Sequence, residues 1–217
     1  MKATLFYLHD PMCSWCWGFR PVWDQVQEAL ENEFPELDVV YVVGGLAPDC
    51  DEPMPITMRT AIENYWKRIA AELGTTFNYA FWTENTPRRS TYLACRAVLA
   101  AKRQHLEHEM VDAIQQGYYL RAMNPSDEGV LIQLAGEVLA QGHGSLDQFC
   151  ADLRSETIEK ELQHDIRQSR KFQGQGLAGG FPSLVLSLID KEKQSFRIEI
   201  DYKDANAVLM QVKEYLQ

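Results

Sequence analysis

Apolar positions along the chain change period several times, and each change predicts an element. Thr4-Leu5-Phe6-Tyr7-Leu8 is an unbroken run of β-branched, aromatic and aliphatic residues, which predicts a buried strand. Val22, Trp23, Val26, Ala29, Leu30 and Phe34 then recur at helical spacing, so an amphipathic helix follows. Leu37 to Val43 is a second β-branched run, ending at Gly44-Gly45. It reads as a central parallel strand that completes a β-α-β unit with the first. Pro48 to Pro53 is turn chemistry and marks a boundary.

From Met54 to Gln175 the pattern is helical throughout. Ile56, Arg59, Ile62, Tyr65, Trp66, Ile69 and Leu73 form a stripe closed by Gly74. Thr86-Pro87 reads as an N-cap followed by proline at the first helical position, after which Tyr92, Cys95, Val98 and Leu99 face inward. Leu106, Met110, Ile114 and Tyr118 continue the pattern. Ser126-Asp127-Glu128 opens another helix, with Gly142 past its end. Ser145 with Gln148 has the signature of a capping box, and a last charged helix is expected from about Glu156 to Phe172.

The period returns to that of strands near the C-terminus. Leu184 to Ile189, a turn at Asp190-Lys191-Glu192-Lys193, and Phe196 to Ile200 read as an antiparallel hairpin. A closing helix carries Ala207, Val208, Met210, Val212, Tyr215 and Leu216. Gly174-Gln175-Gly176-Leu177-Ala178-Gly179 has the spacing of a dinucleotide fingerprint. It follows a helix and leads into a strand, the reverse of the order that phosphate binding needs, so it is read as a flexible return.

Composition narrows the partners. The 217 residues carry a formal net charge of −10, which argues against a nucleic-acid backbone or an anionic membrane. Residues 54–175 hold 14 Lys and Arg against 15 Asp and Glu, leaving 7 against 16 from the totals of 21 and 31. The middle is near neutral and the flanks carry the acid excess, as separate subdomains would. No secretory leader is visible, and no apolar run is long enough to span a bilayer. Five cysteines, three of them outside any motif, suit a reducing compartment, and the expectation is cytoplasmic.

The chemistry is concentrated in Asp10-Pro11-Met12-Cys13-Ser14-Trp15-Cys16-Trp17-Gly18-Phe19, between the first strand and the first helix. A Cys-x-x-Cys spacing puts two sulfurs about one helical turn apart, within reach of a small-loop disulfide. The positive end of the helix favours a thiolate at Cys13, the nucleophile of disulfide exchange, with Cys16 as the resolving thiol. Structural zinc would need a second ligand pair at similar spacing. Cys50, Cys95 and Cys150 stand alone, and His105 and His108 read as part of a solvated face, so no metal is expected. Cys95 is read as a small core residue. Asp10 is a candidate proton acceptor for Cys16, though Asp-Pro is also a common turn starter. Trp15 and Trp17 flank the sulfurs as a candidate apolar docking surface, or are core residues.

The strand, the motif segment and Gly180-Phe181-Pro182 together resemble the DsbA-like branch of the thioredoxin superfamily, in particular its members classed as protein disulfide isomerases. Pro21 matches the proline found in the first helix of many thioredoxin folds. The middle of the chain resembles the branch's helical insertion in pattern only. Ser14-Trp15 departs from the Pro-His or Gly-Pro of the best-known members, and these two residues tune the thiolate. The resemblance implies an α/β thioredoxin fold with a large all-helical insertion, the core being 1–53 and 176–217 and the insertion 54–175. It also implies that Pro182 is the cis-proline facing the dithiol, with Phe181 before it able to pair with an extended substrate chain.

The expected function is thiol–disulfide exchange, as a reductase or isomerase, on disulfide-containing proteins, peptides or small molecules. No bound cofactor is expected beyond glutathione as a redox partner. Two rivals differ in chemistry. Kappa-class glutathione transferases and hydroxychromene-carboxylate isomerases resemble the chain in the Asp-containing loop and the helical insertion, but place serine where Cys13 stands. A redox-sensing binding module would switch shape without turnover.

Overall fold

The structure is a computed structural model describing residues 3–141, 143–188 and 194–216. Gly142, Ile189 and the expected turn at Asp190–Lys193 lie outside the described residues. In chain order the elements are β1 (Ala3–His9), α1 (Ser14–Glu33), β2 (Asp38–Val43), α2 (Ile56–Leu73), α3 (Phe81–Glu84), α4 (Tyr92–Lys102) and α5 (Glu107–Leu120). They continue with α6 (Glu128–Leu139), α7 (Leu146–Leu153), α8 (Glu156–Gly174), β3 (Ser183–Leu188), β4 (Ser195–Ile198) and α9 (Ala205–Leu216). The strands form one sheet in the order β2-β1-β3-β4. β1 pairs parallel with β2 and antiparallel with β3, and β3 pairs antiparallel with β4. This is the β-α-β and β-β-α pair of halves expected from the two flanks.

Two compact units emerge. The sheet unit comprises the chain up to His9, Trp15–Gly44, and everything from Asp165 onward; the helical unit comprises Asp10–Ser14 and Gly45–His164. These boundaries differ from the expected 53/54 and 175/176 for physical reasons. Phe172, Leu177 and Ala178 pack with Leu8, Val42 and Val185 of the sheet, so the second half of α8 belongs with the strands. Leu46 and Ala47 bond to Asp10 and Thr91, which draws that stretch into the helical unit.

Because successive side chains on a strand point to opposite faces, an unbroken apolar strand needs cover on both. Leu5 and Tyr7 of β1, Tyr41 of β2, and Leu184 and Leu186 of β3 pack with Phe19, Val22, Trp23, Val26 and Leu30 of α1 and Val208, Leu209 and Val212 of α9. Leu8, Val42 and Val185 face the other way, onto Phe172. The polar atoms in the first layer are paired: Trp23 Nε1 donates to Tyr41 Oη at 2.6 Å, and that hydroxyl donates to Gln27 at 2.7 Å.

Several caps match expectation. Gly74 ends α2 in the left-handed conformation, φ 72°. Ser145 accepts the Gln148 N–H, although the Gln148 side chain goes to Asp152 rather than back to Ser145. The glycine-rich segment after α8 is a helix stop. Leu177 N–H donates to Phe172 O and Gly176 N–H to Gln173 O, with Gly176 at φ 74°, which is the Schellman arrangement. Thr86-Pro87 does not start a helix. Pro87 O accepts the Met54 N–H, Arg88 bridges to Pro53, and α4 begins only after Thr91. The α2 stripe is narrower than its spacing suggests, since only Trp66 and Ile69 are buried, while Ile56 is 70% and Tyr65 50% exposed.

Gly44, at the end of β2, has no room for a side chain. A Cβ there would meet the Phe181 ring at 1.8 Å. We predict that Gly44→Ala destabilises the fold by about 1–3 kcal/mol through overpacking. Combining it with Phe181→Ala should cost less than the sum of the two single changes in urea unfolding, since the second removes the ring that the first meets.

Candidate active site

The loop between β1 and α1 is set by its own sequence. Cys13 N–H donates to Asp10 O at 3.0 Å, closing a four-residue turn, and Met12 N–H donates to Asp10 Oδ1 at 2.8 Å. Aspartate at the first position of a turn accepts from the backbone two residues on, and proline at the second presets φ; Asp10-Pro11 supplies both. The turn delivers Cys13 immediately before Ser14, the first residue of α1, and Cys16 lies in the opening turn of that helix. Cys16 is fully buried and Cys13 nearly so.

The second carboxylate oxygen of Asp10 is held by groups remote in sequence. Oδ2 accepts the Leu46 N–H at 2.8 Å, the Thr91 hydroxyl at 2.7 Å and the Cys95 thiol at 3.5 Å. Asp10 is completely buried. Burial raises its proton affinity above the ordinary carboxyl value, and the bonds from Leu46, Thr91, Met12 and Cys95 oppose that rise without cancelling it. The Cys95 thiol is pushed well up, first by its own burial and then by the neighbouring Asp10 charge. Thr91 is committed twice over: its oxygen also accepts the Ala47 N–H at 3.1 Å, and its N–H donates to Ala47 O at 3.0 Å. It precedes α4 but makes no side-chain cap there.

The other expected site residues are placed as follows. Trp15 is half-buried with its ring edge-on to Tyr202 at 5.2 Å, and Trp17 is half-buried with the Arg20 guanidinium 5.9 Å from its ring. Pro182 is buried just before β3, and the Phe181–Pro182 peptide bond is cis. The Phe181 ring packs over Gly44 and the cluster around Leu8 and Val185. His9, which is not among the expected site residues, is buried in the sheet unit, stacked on Tyr7 at 5.1 Å and edge-on to Tyr41 at 5.3 Å. Among the described residues no group of three or more His, Cys, Asp or Glu is arranged to hold a metal, and no helix is long and apolar enough to cross a membrane.

Three residues that spacing did not single out for the site belong to it. Thr91 and Cys95 complete the Asp10 cluster, and Trp66 donates its indole N–H to Ser14 Oγ at 3.0 Å. No local signal marks them, since Cys95 and Trp66 sit on apolar helical faces where packing alone accounts for them.

The DSBA-like thioredoxin domain profile matches residues 5–182. The chain belongs to the DsbA-like thioredoxin family. The fold is shared with solved structures over the whole chain. A candidate protein disulfide isomerase from Nitrosomonas europaea superposes with a TM-score of 0.80 at 23% identity, covering 100% of this chain and 98% of that one. The cytosolic disulfide reductase DsbM from Pseudomonas aeruginosa superposes at 0.72 with 25% identity, over 98% of both chains, and has also been solved with glutathione. Among curated proteins, the ClpXP adapter protein SpxH of Halalkalibacterium halodurans is 23% identical over 169 residues, 75% of this chain and 52% of that protein. The chain thus spans about half the length of that curated relative.

The raised proton affinity of Asp10 has a signed consequence. Between the ordinary carboxyl value and the raised one, the folded state binds a proton that the unfolded state has released, so stability contributed by this group falls as pH rises through that window. We predict that the stability of the reduced protein minus that of Asp10→Asn declines with rising pH across mildly acid conditions, measured by urea unfolding over a pH series. A flat or rising difference would contradict it.

Proposed function

We propose that the chain is a cytoplasmic thiol–disulfide oxidoreductase working as a disulfide reductase or isomerase through Cys13 and Cys16. The observation that carries this reading is a Cys-x-x-Cys pair at the start of α1 in a DsbA-like thioredoxin fold, its first cysteine delivered by a turn anchored on Asp10. The Cys13 thiolate attacks one sulfur of a substrate disulfide, forming a mixed disulfide and releasing the other sulfur as a thiolate. Cys16 then loses its proton and attacks the Cys13 sulfur, closing the Cys13–Cys16 disulfide and releasing the second substrate thiol. The substrate gains two electrons and two protons. Two glutathione molecules, oxidised to one glutathione disulfide, return the pair to dithiol.

Asp10, with its raised proton affinity, is assigned the Cys16 proton. Trp15 and Trp17 are assigned to substrate docking, and the Phe181-Pro182 main chain to pairing with an extended substrate segment. The reducing direction and the cytoplasmic setting are supported by the likeness to a cytosolic disulfide reductase, and glutathione by the solved complex of that same protein. Cysteine at both motif positions favours exchange over the transferase chemistry of the serine-bearing relatives.

We predict catalytic reduction of insulin disulfides in the presence of glutathione. Cys13→Ser should abolish it to background. Cys16→Ser should stall with mixed disulfides at Cys13, visible as reductant-sensitive adducts by mass. Stoichiometric reduction without turnover would instead identify a redox-sensing module.

A further inference from the structure

Between the two cysteines stands Ser14, and its hydroxyl is not left to solvent. Trp66, on α2, donates its indole N–H to Ser14 Oγ at 3.0 Å. Trp66 is fully buried and fixed on all sides by rings: Phe77 at 5.0 Å, Trp82 at 4.9 Å, Tyr119 at 5.3 Å, Tyr118 at 5.4 Å and Phe81 at 5.7 Å between centroids. An indole carries one donor and no acceptor, so its whole hydrogen-bonding capacity in this cage goes to the residue following Cys13. The cage has already removed the ring's rotational freedom, so the bond to Ser14 costs little further ordering.

A serine oxygen that accepts one hydrogen bond keeps its own proton to give, and donation into the oxygen strengthens that proton as a donor. The adjacent sulfur in sequence is that of Cys13. A hydroxyl directed at a sulfur favours negative charge on it, as in the reduced pair, over a disulfide. We propose that Trp66 is a positioning residue that sets the reduction potential of the Cys13–Cys16 pair through Ser14. The proposal rests on the disulfide-exchange reading above and adds to it a control point on the helical unit.

The equilibrium to measure is reduced protein plus glutathione disulfide going to oxidised protein plus two glutathione, a balanced transfer of two electrons and two protons. Trp66→Phe keeps the aromatic filler and removes the donor; Ser14→Ala removes the acceptor. Each should raise this equilibrium constant about five-fold, the worth of one net hydrogen bond. The double variant should also sit about five-fold up, not at the product of the two, because both changes remove the same bond. Ser14→Thr, which keeps the hydroxyl, should hold close to the wild-type value.

A second readout covers the case in which Trp66→Phe does not fold. Coupling is reciprocal, so if the indole bond biases the redox equilibrium, the redox state must alter the bond. In the wild-type protein the indole N–H resonance that Ser14→Ala moves should differ between the oxidised and reduced forms. Constants unchanged by the substitutions, effects that multiply in the double variant, or an indole resonance blind to redox state would each overturn the role of Trp66. A wild-type protein that forms no reversible Cys13–Cys16 disulfide would instead overturn the exchange reading itself.

Discussion

A carboxylate sealed from water is the constraint on which the motif loop depends. Asp10 gives up hydration completely, and the loss is tolerable only because four donors replace it. Two of them, the N–H groups of Met12 and Leu46, are backbone, so the charge fixes main chain on both sides of the cluster. The third, Thr91, is taken from the start of α4, which then begins without a side-chain cap. A cap is worth about 1 kcal/mol at a helix end. An unmet donor requirement on a buried carboxylate costs more than that, so the hydroxyl goes to the acid.

The fourth donor changes how Cys95 is understood. By sequence it is a small residue on an apolar face, and its burial agrees. Its thiol is also the weakest of the four contacts at 3.5 Å, and the Asp10 charge helps hold it in the protonated form. A buried thiol in that state is a poor nucleophile. It serves as a donor to the acid that carries the turn before Cys13. Cys95 is thus tied to support of the turn, since the charge that keeps it protonated is also what needs its hydrogen.

Elements whose signal is local were legible in the sequence. The strands declared themselves because a two-sided core demands unbroken apolar runs, and the motif turn because Asp-Pro encodes it within three residues. The glycine-rich segment follows a helix and leads into a strand, an order legible in the sequence, but its use as a Schellman stop depends on Gly176 taking φ 74°. Thr86-Pro87 misled because its helix-start chemistry is generic. Whether a helix follows was decided by the pairing of Pro53 with Arg88 and of Ala47 with Thr91, neither of which leaves a pattern. The site partners were hidden for the same reason. Thr91, Cys95 and Trp66 lie 81, 85 and 52 residues from the groups they bond, and no periodicity joins them.

The two residues between the cysteines are held separately. Ser14 accepts from Trp66 in the helical unit, while Trp15 packs edge-on to Tyr202 in the sheet unit, which itself meets Phe19 at 5.7 Å. The departure from Pro-His or Gly-Pro is therefore matched by structure elsewhere in the chain. Importing either dipeptide would remove the Ser14 acceptor and leave the Trp66 N–H buried without one, a loss of about 1–3 kcal/mol. It would also remove the indole at position 15 that meets Tyr202 edge-on. The dipeptide of this chain is one side of two contacts, so its effect on the sulfurs is set together with Trp66 and Tyr202.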